Sequence, residues 1–226
     1  MIELGGKMKL LASDFDGSLF FRNRKPSISE RDLTSIRDFR EKNIFGLSTG
    51  RSREALLSET EGLIDVDFYI LNNGALILDK NLRAIYKKTM ELNQVKKALN
   101  SYSQEKAVVI GEDVTYLYLH NNGLQTSKTC IINNLEQIEE NNILGFSISL
   151  SNEKKAQLVC QEINQMKLDI RAFHNLSVVD CSHIENSKGL ALKLIQDYFK
   201  INPNEMAAIG DAYNDLPMFK LVSTSF

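Results

Sequence analysis

The sequence predicts an α/β protein in which a parallel sheet wrapped by helices is interrupted by an inserted α+β domain. Three short apolar segments, residues 9–14, 44–49 and 206–211, each end in polar residues, as strands buried on both faces of a parallel sheet do. Helical patterns follow the first segment and precede the third. Between them lies a stretch of crowded short strands, which indicates a second domain inserted into the first.

Each of the three predicted parallel strands delivers polar residues to its carboxyl end. The first stops at Asp16-Gly17-Ser18, the second at Gly50-Arg51, and the third at the run from Ala212 to Asp215. Ligands of open α/β sheets bind at the carboxyl ends of the strands. We therefore expect the functional residues to gather at one edge of the sheet.

Two serines have the spacing of helix caps. Ser29 precedes a segment with Asp32 in its first turn, and Ser187 precedes a segment that ends before Asn202-Pro203. Both segments carry apolar residues at helical spacing, namely Leu33, Ile36 and Phe39 in the first and Leu190, Leu194, Ile195, Tyr198 and Phe199 in the second.

The middle of the chain predicts a small antiparallel sheet with helices on one face. After Asn72-Asn73-Gly74 a hairpin is expected over residues 75–87. The expected strands are 107–110, 115–120, 145–150, 168–173 and 176–181, and the expected helices are 92–103, 129–140 and 152–166. These boundaries predict a core of residues 1–89 and 185–226 and an inserted domain of residues 90–184.

Composition limits the partners and the compartment. With 27 basic and 29 acidic residues the formal net charge is -2, so nothing favours nucleic acid or an anionic membrane as a partner. The three cysteines form no Cys-x-x-Cys pair, and no uncharged apolar run approaches the roughly 18 residues of a membrane span. We predict a cytoplasmic protein that is a monomer or a weak homo-oligomer.

Four carboxylates are expected at the carboxyl edge of the predicted sheet, those of Asp14, Asp16, Asp211 and Asp215. Like charges this close raise each other's pKa, and they would repel an anionic substrate unless a cation were present. Oxygen ligands select a hard divalent ion, and magnesium suits a site that retains waters and contacts phosphate. The sequence therefore predicts a magnesium site.

The same residues resemble the four motifs of the haloacid dehalogenase (HAD) superfamily. The matching residues are Asp14-Phe15-Asp16-Gly17-Ser18, Ser48-Thr49-Gly50-Arg51, Lys188 and Gly210-Asp211-Ala212-Tyr213-Asn214-Asp215. In order and approximate spacing they cover nearly the whole chain. The most similar branch is the Cof-type sugar-phosphate phosphatases, so the resemblance implies a Rossmann-like HAD core with a large α/β cap inserted after the second motif.

The resemblance implies catalytic roles for four residues. Asp14 would attack phosphorus and become an aspartyl phosphate, and Asp16 would act as general acid and then general base. Thr49 and Lys188 would hold the phosphoryl oxygens on which charge spreads in the transition state.

Metal and substrate ligands are implied in the same way. Magnesium would be held by Asp14, the Asp16 backbone carbonyl and Asp211, with Asp215 acting through water or orienting Lys188. Substrate would contact Thr49, Gly50, Arg51, Lys188 and Asn214. Two alternatives stay open. Arg51 either holds phosphate or pairs with a carboxylate. Asn73 and Asn214 either donate to substrate or serve local structure, Asn73 by forming a turn and Asn214 by initiating a helix.

Three functions are compatible with these residues. The leading hypothesis is magnesium-dependent hydrolysis of a small phosphorylated metabolite, which we expect to be a sugar phosphate. A phosphomutase of the phosphomannomutase kind would use the same aspartyl phosphate, but the inserted domain has no dense arginine cluster for a second phosphate. A non-catalytic sugar-phosphate-binding module is the third, and the presence of both Asp14 and Asp16 argues against it.

Overall fold

A computed structural model describes residues 9–120 and 128–226. The strands are β1 (Leu10–Asp14), β2 (Ile44–Ser48), β3 (Phe68–Leu71), β4 (Leu76–Asp79), β5 (Ala84–Lys87), β6 (Met90–Glu91), β7 (Lys106–Gly111), β8 (Thr115–Tyr118), β9 (Thr129–Ile132), β10 (Asn142–Ser149), β11 (Ile170–Asn175), β12 (Val178–His183), β13 (Met206–Ile209) and β14 (Thr224–Ser225). The helices are α1 (Glu30–Arg40), α2 (Arg53–Thr60), α3 (Leu92–Asn100), α4 (Glu153–Gln165), α5 (Lys188–Phe199) and α6 (Leu216–Phe219).

The chain folds as two compact units. One contains the residues up to Lys87 together with Ser187–Phe226, and the other is Lys88–Asn186. The first unit is built on a seven-stranded sheet in the order β14-β13-β1-β2-β3-β4-β5, and the second on a seven-stranded sheet of its own. That the second unit is a substrate-specificity cap stays a prediction.

The three predicted parallel strands are neighbours in the first sheet. β1 lies between β13 and β2 and pairs with both in parallel, with Asp14 opposite Ser48. β3 continues the parallel run, and β4 and β5 complete the sheet as the predicted antiparallel hairpin. Because the parallel strands share one direction, their carboxyl ends lie at a single edge, which confirms the predicted α/β fold class.

One face of this sheet packs against α5 and α6. Leu10, Phe68 and Ile70 of the sheet share a buried cluster with Leu192 of α5 and Met218 of α6. Gly46 allows this packing, because a Cβ atom at that position would overlap the ring of the fully buried Phe68. The absence of a side chain at Gly46 therefore leaves room for the Phe68 ring against β2.

The two predicted helix caps are confirmed. The Ser29 hydroxyl oxygen accepts a hydrogen bond from the Asp32 amide, and the Ser187 hydroxyl oxygen accepts one from the Leu190 amide. The second cap starts α5 at Lys188, so this lysine occupies the first helical position and is only 1% exposed. The pattern analysis did not predict the short helix α2, whose apolar residues are too few to define a helical face.

The second unit is the predicted α+β arrangement. Its strands follow the order β11-β12-β10-β7-β8-β9, with β6 pairing to β10. All pairs are antiparallel except β8 with β9, which are parallel. Val95 of α3, Val159 of α4 and Phe146 of β10 belong to one buried cluster, so both helices pack against the sheet through the same core.

The helix predicted over residues 129–140 is wrong. Residues Thr129–Ile132 form β9, and Leu135–Gln137 form a short 3₁₀ turn closed by a capping box between Asn134 and Gln137. Thr129, Ile131 and Ile132 are β-branched and fit a pleated strand better than a helix. The local asparagine cap then competes with continuation of any helix through the segment.

All three cysteines are free, and Cys160 and Cys181 are buried. Within residues 9–120 and 128–226, no helix has both the length and the apolar character that crossing a bilayer requires.

We predict that Gly46→Ala destabilises the first unit, because the new methyl group overlaps Phe68. Overpacking of this kind costs about 1–3 kcal/mol in the free energy of unfolding, measurable by denaturant titration. Phe68→Leu should relieve the clash, so the double variant should lose less stability than the sum of the two single variants. Additive losses would contradict the packing described here.

Candidate active site

Asp14 ends β1 at the carboxyl edge of the first sheet and is 5% exposed. Its Oδ1 accepts a hydrogen bond from the Lys188 ammonium at 2.6 Å, whereas Oδ2 is buried without a hydrogen-bond partner. Burial, opposed by Lys188 and reinforced by Asp215, raises the pKa of Asp14 to about 6. A buried carboxylate oxygen without a partner is costly, and it indicates that a ligand completes the site.

Lys188 lies between two buried carboxylates. Its Nζ donates to Asp14 Oδ1 and to Asp215 Oδ1, both at 2.6 Å, and the side chain is 1% exposed. A lysine so deeply buried is stable only when paired. The Ser187 cap places this residue in the first turn of α5, so the helix start and the ion pairs fix the ammonium together.

Asp215 has no open carboxylate oxygen. While Oδ1 pairs with Lys188, Oδ2 accepts hydrogen bonds from the backbone amides of Asp211 and Ala212 at 3.2 and 3.0 Å. Gly210 makes this possible, since a Cβ atom there would lie 2.6 Å from the Asp215 side chain. Two roles were predicted for Asp215, contact with magnesium through water or orientation of Lys188. Its hydrogen bond to the Lys188 ammonium matches the second role.

The residues at this edge fit a divalent cation. One carboxylate oxygen each from Asp14, Asp211 and Asp215 lie within 4.8 Å of one another. Burial, followed by the nearby Asp215 carboxylate, raises the pKa of Asp211. The unpartnered Asp14 Oδ2 and the oxygen-only ligand set suit magnesium. Gly17 has a positive φ of 90° and leaves room for Asp211. A side chain at position 17 would overlap the Asp211 carboxylate.

Asp16 is not one of the three clustered carboxylates, and its own carboxylate pairs with Arg51. The Arg51 Nε and Nη2 atoms donate to Asp16 Oδ2 and Oδ1, both at 2.7 Å, in a bidentate pair. The Asp16 side chain is 43% exposed and that of Arg51 is 11% exposed. Arg51 Nη1 also donates to the Ala55 carbonyl at 3.2 Å and lies 3.6 Å from Glu59.

Two aromatic rings fix the Arg51 guanidinium further. Its carbon lies 4.9 Å from the Phe15 ring centroid and 4.8 Å from that of Phe20, and the two rings stack on each other. Of the two roles predicted for Arg51, the structure displays pairing with a carboxylate. The substrate contact predicted for Arg51 stays a prediction.

The Thr49-Gly50 loop follows β2. Thr49 is 1% exposed, its amide donates to the Ile70 carbonyl at 2.8 Å, and its hydroxyl oxygen accepts from the Arg51 amide at 3.1 Å. The Thr49 amide already donates a hydrogen bond within the sheet. The hydroxyl hydrogen is therefore the Thr49 donor that a substrate could use. Gly50 is exposed.

Asn214 contacts Asn73, a residue for which two roles stayed open. Its Nδ2 donates to Asn73 Oδ1 at 2.9 Å. Asn73 lies in the 3₁₀ turn Asn72–Gly74 and is 4% exposed. The Asn-Asn-Gly run was the single sequence signal for this position, and it predicts a turn equally well.

Several buried polar atoms near the carboxyl ends of the parallel strands have no hydrogen-bond partner. They are Asp14 Oδ2, Ser48 Oγ, Asn72 Oδ1 and Nδ2, and Asn214 Oδ1. Ser48 and Asn72 were not predicted as site residues. Buried polar atoms are nearly always satisfied in proteins, so these atoms are candidates for contacts with a polar ligand.

Comparison with known proteins agrees with this geometry. The family model for haloacid dehalogenase-like hydrolases matches residues 11–226. The chain is 26% identical to the phosphatase YwpJ of Bacillus subtilis, over 94% of this chain and 86% of that protein.

Two solved structures share the fold. A haloacid dehalogenase-like hydrolase from B. subtilis matches with a TM-score of 0.83 and 20% identity, over 96% of this chain and 88% of that one. The HAD subclass IIB sugar phosphatase BT4131 matches with a TM-score of 0.75 and 18% identity, over 96% and 86%. The family match extends from β1 to the end of the chain, and it includes every residue of the carboxylate cluster and Lys188. The chain therefore belongs to the haloacid dehalogenase-like hydrolases, as its motifs predicted.

Proposed function

We propose that this protein is a magnesium-dependent phosphatase that hydrolyses a small phosphate monoester, a sugar phosphate, through an aspartyl phosphate on Asp14. The observation that carries the proposal is the Asp14 carboxylate, which is buried, held at one oxygen by Lys188 and unpartnered at the other. The names of two relatives support it, since YwpJ is a phosphatase and BT4131 a sugar phosphatase.

In the first step an Asp14 oxygen bonds to phosphorus as the ester P–O bond breaks. The leaving oxygen takes a proton from Asp16, which is near in sequence and more exposed than Asp14. In the second step a water oxygen bonds to phosphorus and the water gives a proton to Asp16. The bond between phosphorus and the Asp14 oxygen breaks, which releases phosphate and regenerates the Asp14 carboxylate. Arg51 holds Asp16 by both carboxylate oxygens and so fixes its orientation in the resting protein.

Two residues stabilise the charge that develops on the phosphoryl oxygens. Lys188 brings a fixed ammonium already oriented by Asp215, so little reorganisation is needed during the reaction. Thr49 offers its hydroxyl from a backbone held in the sheet by Ile70. Such preorganised donors typically contribute about 10²–10³-fold each to the rate.

Magnesium would be held by Asp14, the Asp16 backbone carbonyl and Asp211. When bound, it supplies positive charge against the phosphoryl group and the developing negative charge. Asp215 supports the site indirectly, since both its oxygens are taken by Lys188 and by backbone amides. We further propose that Lys88–Asn186 acts as the substrate-specificity domain and that the protein works in the cytoplasm.

A panel of phosphate esters with magnesium should yield free phosphate, with sugar phosphates among the better substrates. Asp14→Asn should lower kcat by more than about a thousandfold, because an amide oxygen is a poor nucleophile. Asp65→Asn is the matched control, since its side chain is 95% exposed and is remote from the carboxylate cluster. Full activity of the Asp14 variant, or isomerised sugar phosphate without free phosphate, would contradict the proposal.

Removal of divalent cations by a chelator should abolish turnover, and added magnesium should restore it. Asp211→Asn should raise the magnesium concentration for half-maximal activity by at least about tenfold, because a carboxylate ligand is lost. Unchanged turnover after complete chelation would count against a metal role.

Asp215→Asn is expected to behave differently from Asp211→Asn in the absence of metal. Lys188 and the backbone amides of Asp211 and Ala212 use both carboxylate oxygens of Asp215, and asparagine has one acceptor oxygen. A buried donor therefore loses its partner, and the free energy of unfolding should fall by about 1–3 kcal/mol. Asp211 makes no side-chain ion pair with Lys188, and its replacement should change stability little. Equal unfolding midpoints for the two metal-free variants would contradict the role assigned to Asp215.

A further inference from the structure

A positively charged turn follows shortly after β1. Arg22, Arg24 and Lys25 all have exposed side chains, and residues 17–29 contain no acidic residue. We call residues 22–25 the basic turn. Within the parts of the chain that the structure describes, none of these three cations pairs with a carboxylate. Cations so close together repel one another, so the basic turn favours a ligand that brings negative charge.

Hydrogen bonds and an aromatic contact order the basic turn. The Phe21 amide donates to the Ser27 carbonyl at 2.9 Å, and the Arg24 amide donates to the Phe21 carbonyl at 3.0 Å. The Arg24 guanidinium carbon lies over the Phe21 ring, 3.7 Å from its centroid. This contact uses the face of the guanidinium and leaves the N–H groups at its edge free to donate. Arg24 is therefore a preorganised donor for a carboxylate or a phosphate.

The basic turn lies near Asp16, the proton carrier of the proposed function. Phe20 forms a β-bridge with Asp16, and bridged backbones are about 5 Å apart. Two further residues span at most about 7 Å, so the Cα atom of Arg22 lies within about 12 Å of that of Asp16. This distance is close to the Debye length of about 8–10 Å, so the charge of the basic turn acts on an anion bound near Asp16.

The candidate site itself is short of positive charge. Its two cations, Lys188 and Arg51, are set against five carboxylates, those of Asp14, Asp16, Glu59, Asp211 and Asp215. Two cations and five carboxylates give a formal charge of −3, which a bound magnesium ion would change to −1. A phosphate monoester carries a charge of about −1.5 to −2 at pH 7 and meets no net attraction there. The three cations of the basic turn reverse the sign of the charge around the site.

We propose that the basic turn binds a second anionic group of the substrate, so that the preferred substrates are phosphate esters that also carry a carboxylate or a second phosphate. This inference rests on the proposed function and names the substrate class. The ester phosphate would lie at Asp14 and Lys188, and the second anion would accept charge-assisted hydrogen bonds from the basic turn.

The test uses three esters with the same number of carbon atoms. Glucose 6-phosphate has no second anion, 6-phosphogluconate has a carboxylate, and glucose 1,6-bisphosphate has a second phosphate. With saturating magnesium, the unaltered protein should hydrolyse at least one doubly anionic ester with a kcat/KM about tenfold or more above that for glucose 6-phosphate. A preference for 6-phosphogluconate alone assigns the basic turn to a carboxylate, and one for the bisphosphate alone assigns it to a second phosphate.

The variant Arg22→Gln/Arg24→Gln/Lys25→Gln removes the three charges and keeps hydrogen-bonding side chains. Its kcat/KM for the preferred ester should fall about 10–100-fold, through KM and not kcat, because the basic turn does not contact the reacting atoms. The preference of the unaltered protein should also shrink as the ionic strength rises. Calorimetric binding of the preferred ester to Asp14→Asn protein, with and without the glutamine substitutions, should show the same loss of affinity without turnover.

The matched control is Arg37→Gln/Lys42→Gln/Lys80→Gln, which also removes three exposed cations. Arg37 lies in the last turn of α1, Lys42 just before β2 and Lys80 just after β4. These positions are at the amino edge of the parallel strands, opposite the candidate site. For each ester the kcat/KM of the control should stay within about twofold of that of the unaltered protein.

A kcat/KM for both doubly anionic esters no higher than that for glucose 6-phosphate would overturn the inference. A preference that persists in the glutamine variant of the basic turn, or that is lost equally in the control, would do the same. The proposed function would stand in those cases if the unaltered protein hydrolysed glucose 6-phosphate and Asp14→Asn did not. Release of no phosphate from any ester would overturn both the inference and the proposed function.

Discussion

The buried ammonium of Lys188 is the constraint on which the rest of the candidate site depends. It lies between Asp14 and Asp215, 2.6 Å from an oxygen of each, and none of the three side chains is more than 7% exposed. Removing Lys188 would leave two carboxylates in the interior without a counter-charge, whereas removing either carboxylate would leave Lys188 one ion pair. The start of α5, the end of β1 and the turn before α6 are thereby tied together, so that the fold and the site share the same ion pairs.

Close backbone approach is the second requirement of this arrangement. A side chain at Gly17 would overlap Asp211, and one at Gly210 would press against Asp215. Glycines at these two turns allow the carboxylates to converge within 4.8 Å of one another. Such convergence raises the pKa of neighbouring carboxyl groups and favours a cation. The cost of bringing like charges together is thus offset within the site by Lys188 and, in the proposed function, by magnesium.

The two aspartates after β1 occupy contrasting environments. Asp14 is buried and has one unpartnered oxygen, which suits attack on phosphorus. Asp16 is 43% exposed and has both oxygens held by Arg51, which itself lies against Phe15 and Phe20. In the proposed function, this difference in burial distinguishes the nucleophile Asp14 from the proton carrier Asp16, two residues apart in the chain. A proton carrier needs access to water and to the leaving group, and exposure provides it.

The sequence by itself determined the parallel strands, the helix caps at Ser29 and Ser187 and the family, because strand patterns, caps and motifs are local. It misjudged residues 129–140, where β-branched residues pair with β8 as a strand. Only the tertiary structure decided that Arg51 holds Asp16, that Asp215 orients Lys188 and that Asn214 reaches Asn73. These contacts join residues 27 to 141 positions apart, and nothing in the local pattern specifies which charged or polar side chain will lie nearest once the strands assemble.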